Sequence, residues 1–210
     1  MDPTRLHSLL EKHIPPQAIP YCFQLWQAQP FDFRLRKKRI SKVGDFTCHP
    51  GKTPRITVNQ ESHPYLFLLT YVHEVAHLRV HQEYGWKKEA HGSEWKDMFR
   101  QLLAPLMIEN IFPGELLALI RKHMVNPKAS SFSDSVLTHA LRQYDERQKS
   151  VILLSEIAEG SIFGLHGRWF KKGVLKRTRV VCRELKTKRN FLVPADAPVE
   201  SPQLSLLPVG

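Results

Sequence analysis

Residues 71–77 read Tyr71-Val72-His73-Glu74-Val75-Ala76-His77, a His-Glu-x-x-His motif, and fourteen residues after His77 comes His91-Gly92-Ser93-Glu94-Trp95. Helix signals frame the first stretch. Ser62 is a candidate N-cap, Pro64 falls in the first turn, where its missing N–H costs nothing, and Gly85 is a C′ stop. The apolar-rich residues 65–80 between them are long enough for a buried helix. Residues four apart on a helix differ by about 40° in direction and about 6 Å in height, so His73 and His77 can reach one ion. With 11 His and 13 Glu in 210 residues, such a motif arises by chance at roughly 3 %, and its mid-helix position makes accident rarer still.

Zinc accepts neutral imidazole nitrogens at about 2.0–2.1 Å, and a catalytic site uses three protein ligands with the fourth position open. Glu74 beside the first ligand would then take a proton from bound water, whose pKa the metal lowers towards roughly 7. The third ligand has several candidates. His81 extends the stripe but lies about 12 Å along the axis from His73, too far for a shared ion. A His-x-x-Gly-x-x-His extension is missing, since Val80 and Glu83 stand where its glycine and histidine would be, which argues against a metzincin. His91 is favoured because Gly85 ends one helix and Gly92-Ser93 opens the next. Glu83, Glu89 and Glu94 remain its rivals. The expectation is a zinc hydrolase holding one Zn2+.

At His73, Glu74, His77, His91, Gly92 and Trp95 the chain resembles the SprT-like family of zinc metallopeptidases, the group that includes the DNA-protein crosslink protease Spartan. The likeness covers residues 1–110 in layout, with a basic β-hairpin region ahead of the motif helix. It implies a zinc-dependent endopeptidase with His73, His77 and His91 as metal ligands and Glu74 as the catalytic residue. Its substrates would be proteins bound or crosslinked to DNA. Many members end in a zinc ribbon of four cysteines, whereas this chain has only Cys182 in its C-terminal half, so a second zinc is not expected.

Charge is concentrated as well as high. The chain is net +11, and residues 31–55 carry eight Lys or Arg against two acids while residues 161–193 carry ten against one. Such clustering is the footprint of a protein that meets a polyanion, with DNA the expected partner. Residues 176–184 alternate as a strand would, placing Arg177, Arg179 and Arg183 with Val181 on one face and Lys176, Thr178, Val180, Cys182 and Glu184 on the other. Together with Lys171 and Lys172 these are the candidate nucleic-acid contacts. Phe163, Trp169, Phe170 and Phe191 interleave with them and could stack on unpaired bases. The bland reading is a small β unit with an aromatic core and a solvated basic face.

The overall expectation is an α+β chain. Residues 1–125 read as a zincin-like core with an active-site helix and a small antiparallel sheet, 126–150 as a helical connector, 151–194 as a small basic antiparallel β unit, and 195–210 as an extended tail. Helices are expected at 4–13, 16–28, 93–107, 114–124 and from Ser133 or Asp134 to 144. Strands are expected at 31–39, 45–48, 54–58, 151–154, 161–165, 176–184 and 190–193, with Val43-Gly44-Asp45 as turn chemistry. Three widely spaced cysteines make a disulfide framework improbable. No signal peptide and no apolar run of about 20 residues is present, which suits a cytoplasmic protein, nucleoid-associated or nuclear where DNA-bound, with no membrane partner. An alternative keeps the fold without proteolysis: a zinc-stabilised nucleic-acid-binding or adaptor protein.

Overall fold

The computed structural model describes residues 1–37, 39, 42–60, 62–128, 134–145, 152–195 and 197–200. They form a mixed α+β fold of several helices and three small sheets, none closed into a barrel. The chain divides into two compact units, Met1–Asp145 and Glu146–Gly210.

In the first unit, α1 (Pro3–His13) starts at Asp2, whose carboxylate accepts the Arg5 N–H at 2.9 Å, and buries Leu6 and Leu10. The expected second helix begins one turn late. Pro16–Ala18 is a 3-10 turn, and α2 (Ile19–Ala28) follows it. Strands β1 (Asp32–Arg36), β2 (Gly44–Thr47) and β3 (Arg55–Asn59) pair in the order β1-β3-β2. The small antiparallel sheet, with its hairpin, is corrected here. β1 runs parallel to β3, and only β2 and β3 are antiparallel, so the chain passes β2 on the far side of β3 rather than folding back on β1. The buried Phe33, Ile56 and Val58 seat this sheet on the core.

Helix α3 (Pro64–Tyr84) carries the histidine motif. Its N-cap is His63 rather than Ser62, the His63 ring accepting the Tyr65 N–H at 3.3 Å. Gly85 ends it at φ +64°, a conformation that favours glycine. Phe67, Leu68, Tyr71, Val72, Val75, Ala76 and Leu78 are wholly buried, so apolar groups cover most of the helix circumference and it runs through the core. Helix α4 (Ser93–Leu103) presses Trp95, Phe99 and Leu103 into that core and continues as a 3-10 turn. Helix α5 (Gly114–Val125) starts at Pro113, and α6 (Ser135–Gln143) is capped by Asp134; Leu137 and Leu141 of α6 belong to the same core. Of the two expected caps for α6, Ser133 lies outside the described residues.

The second unit holds β4 (Ile152–Leu153), β5 (Ile162–Leu165), β6 (Arg168–Lys176), β7 (Arg179–Glu184), β8 (Asn190–Pro194) and β9 (Pro198–Val199). β5 to β8 form an antiparallel meander, and β4 pairs with β9. Leu154, Phe163, Phe170, Val180, Cys182, Val193 and Val199 make its core. The single strand expected over 176–184 is instead the end of β6, a two-residue turn and β7. Arg177 sits in that turn at φ +57°, off the face it was expected to share with Arg179 and Arg183. Residues 198–199, expected in an extended tail, form β9; residues 201–210 and Val151 lie outside the described residues. Among the described residues no helix is long and apolar enough to cross a membrane.

Candidate functional site

His73 and His77 project from successive turns of α3, and His91 reaches them from the segment that enters α4. Their Nε2 atoms form a nearly equilateral triangle: 3.2 Å between His73 and His77, 3.1 Å between His77 and His91, and 3.3 Å between His91 and His73. A tetrahedral ion bound at 2.0–2.1 Å requires nitrogen separations of about 3.3 Å. Hydrogen bonding explains the triangle poorly, because the Nε2 of a neutral ring either carries the proton and donates or keeps the lone pair and accepts, never both, so three mutual Nε2 contacts cannot all be satisfied. Among the described residues this is the one group of three or more His, Cys, Asp or Glu side chains able to hold a metal ion. Burial, as the leading cause, pushes His73 well below the ordinary histidine pKa, His77 down to about 3, and His91 down as well. Each shift favours the neutral imidazole, the form whose lone pair an ion would take.

Trp95 is the wall of the centre. Fully buried, its ring centroid lies 4.6 Å from His73, 5.3 Å from His77 and 4.7 Å from His91, and it stacks on Phe99 at 5.0 Å. It packs against the imidazoles themselves. The rival ligands point elsewhere: Glu94 pairs with Lys88 at 2.6 Å and accepts from Ser93, and neither Glu83 nor Glu89 joins the cluster. His81, one turn beyond His77, packs against Trp86 with ring centroids 4.2 Å apart and the rings tilted.

The expectation of a zinc metallopeptidase of the His-Glu-x-x-His, SprT-like type is corrected by this geometry. The structure assembles three histidines, and Glu74 is outside the group. Only 6 % exposed, its carboxyl lies against β2, where the Phe46 N–H donates to it; burial first, and Asp45 second, raise its pKa to about 8. A side chain at Gly44 would overlap the Glu74 carboxyl and the Thr70 methyl. Gly44 is thus required for close approach of β2 to α3, not for the turn read from sequence, and no local signal distinguishes the two.

The basic residues fall into two groups. In the first unit many are engaged internally: Arg34 and Arg55 share Asp32 at 2.8 and 2.9 Å, Lys42 pairs with Asp45 at 2.6 Å, and Arg39 donates to Asn59 and the Val43 carbonyl. In the second unit, strand alternation puts Trp169 and Lys171 of β6 on one face with Arg179, Val181 and Arg183 of β7, flanked by Ile162 and Leu192. Lys171 is directly opposite Arg183. Like charges so placed destabilise a sheet. No ion pair among the described residues joins Lys171, Lys176, Arg177, Arg179 or Arg183 to a carboxylate, although Glu200 leans across Gly164 at the edge of this face.

Other expected contacts have different surroundings. Lys172 donates to the Ile157 carbonyl at 2.6 Å and so ties β6 to the preceding loop. Phe163 and Phe170 are buried and cannot stack on bases, Phe191 packs edge-on against Phe170, and Trp169 remains 43 % exposed. No family model, curated protein or solved structure matches the chain.

Proposed function

We propose that this chain is a non-proteolytic, zinc-stabilised nucleic-acid-binding protein, built on a zincin-like scaffold of the kind its SprT-like resemblance suggests. The carrying observation is the basic face of the second unit, where Lys171 and Arg183 are held opposite one another with no described carboxylate between them. A polyanion is the ligand that relieves such a face, and the neighbouring Arg179 extends it along β7. The first unit supports the metal half of the reading. Zinc would be held by His73, His77 and His91, supplying a cross-brace between α3 and the entry to α4, and the neutral all-nitrogen donor set suits it. DNA is the proposed partner, which places the protein in the cytoplasm or nucleus where DNA is found.

The test is fluorescence anisotropy of the full, metal-loaded chain with a labelled DNA duplex across a salt series. With about four phosphate contacts, affinity should fall roughly 100-fold between 50 and 200 mM salt, and Arg183→Gln should reduce the slope of log K on log salt by about one. No binding at low salt overturns the nucleic-acid reading. Metal-dependent cleavage of a DNA-bound protein by the wild type, lost in Glu74→Gln, overturns the non-proteolytic half.

A further inference from the structure

The β6–β7 hairpin ends in a tip that ordinary folding does not explain. Val174 is 50 % and Leu175 61 % exposed, two adjacent aliphatic side chains held in water at the far end of the sheet. Leu175 is opposite Val180, which is fully in the core, yet it extends past that core. The register shifts between Lys172 and Leu175, a bulge that re-aims both residues. Gly173 is obligatory there, since a Cβ would stand 2.6 Å from the Val181 carbonyl oxygen. The turn itself places Arg177 at φ +57° where glycine or asparagine would be relaxed. Lys176 and Arg179 close the hairpin opposite one another, again like on like.

Resting on the nucleic-acid reading above, we infer that this hairpin is a wedge: Leu175, with Val174 beside it, enters between stacked base pairs of duplex DNA while Lys176, Arg177 and Arg179 hold the adjacent phosphates. Apolar wedges that part a base step, with cations on the flanking backbone, are a recurring way for proteins to kink a duplex. Apolar tips ringed by cations also suit an anionic membrane surface. The distribution of charge favours DNA. The cations do not stop at the rim of the tip but continue along the outer face of β7, from Arg179 to Arg183, about 13 Å at strand spacing, and across to Lys171. Leu175 shares the face of Val180 and the row lies on the opposite face, so a duplex kinked at the tip can lay one arm along the row, whereas a flat membrane touching the tip cannot reach its far end.

The wedge makes a claim that simple phosphate binding does not, namely that bound DNA is unstacked. The probe is a duplex of roughly 20 base pairs whose central TpA step, the easily parted kind, carries 2-aminopurine in place of its adenine. Wild-type protein should raise the fluorescence at saturation. Leu175→Ser and Val174→Ser, both at exposed positions, should bind within about tenfold of wild type yet lose the rise, while Arg183→Gln should bind more weakly but reach the same plateau. Binding with no rise, or a rise that survives Leu175→Ser, overturns the wedge and leaves the nucleic-acid reading intact; no binding overturns both. Vesicles rich in phosphatidylserine serve as the second arm. Vesicle binding that requires Leu175, with no 2-aminopurine response, assigns the tip to a membrane instead.

Discussion

The carboxyl of Glu74 fills the space that a side chain at Gly44 would need. That relationship locks β2 against the helix bearing His73 and His77, so the three-histidine cluster and the sheet share one packing constraint. Gly44→Ala should therefore destabilise the fold by about 1–3 kcal/mol, the usual cost of overpacking. Because the obstruction includes a particular carboxyl, Gly44→Ala combined with Glu74→Ala should recover part of the loss in a double-mutant cycle. Thermal unfolding of the four proteins reads this directly, and strictly additive losses would show that the two residues do not meet.

His91 belongs to a different segment from the other two histidines, so its removal should open the triangle without disturbing α3. His91→Ala should lower bound zinc from about one equivalent to near zero by elemental analysis. A ligand present at 100 times its dissociation constant stabilises the native state by about 2.7 kcal/mol, so a chelator should lower the wild-type unfolding temperature and leave His91→Ala unaffected. Undiminished metal content in the variant would move the ligation to another residue.

What could be read from sequence was what local chemistry determines. Pro64, Gly85 and Asp134 mark helix ends through caps and forbidden dihedrals, and His73 and His77 share a face because of helical periodicity alone. Long-range pairing was not legible. Nothing in residues 31–59 says that β3 enters between β1 and β2. β6 is illegible because the bulge at Gly173 breaks its alternation, and residues 176–184 read as one strand because an arginine, not a glycine, holds the left-handed turn position. The place of Glu74 is illegible for a related reason: its neighbourhood is made by Gly44 and Phe46, 30 and 28 residues away in sequence.

Asp134 performs two tasks. Its carboxylate caps α6 by accepting the Leu137 N–H at 3.2 Å and pairs with the nearly buried His123 at 3.1 Å. Asp134→Ala should cost about 2 kcal/mol, a cap plus a buried partner. Asp134→Asn, which can still cap, should cost less. Urea unfolding distinguishes them, and equal losses would mean that the cap contributes nothing measurable.

Acid should act on the second unit through Glu184. Hydrogen bonds from Arg168, at 2.5 Å, and then from Thr187 lower its carboxyl from about 4.5 to about 2. Between those values the unfolded chain binds a proton that the folded chain does not, so stability is fully present above pH 4.5 and is lost as pH falls towards 2. Glu184→Gln removes the titrating group. Its urea midpoint should fall less than that of the wild type between pH 5 and pH 2.5, and parallel decline in the two proteins would remove Glu184 from the acid response.

Lys171 and Arg183 supply the sharpest separation between a working surface and a merely solvated one. Held directly opposite on adjacent strands, they repel, and Lys171→Glu would turn the pair into an attraction worth about 0.5 kcal/mol. The fold should become slightly more stable. DNA affinity should move the other way, since a phosphate contact is lost and a negative charge is placed on the binding face. A face kept basic for solvation alone predicts the gain in stability with no change in binding, whereas a polyanion surface predicts opposite signs in the two measurements. Thermal unfolding and anisotropy on the same Lys171→Glu preparation decide between them, and a more stable protein that still binds DNA as the wild type does would take the sheet out of the interface.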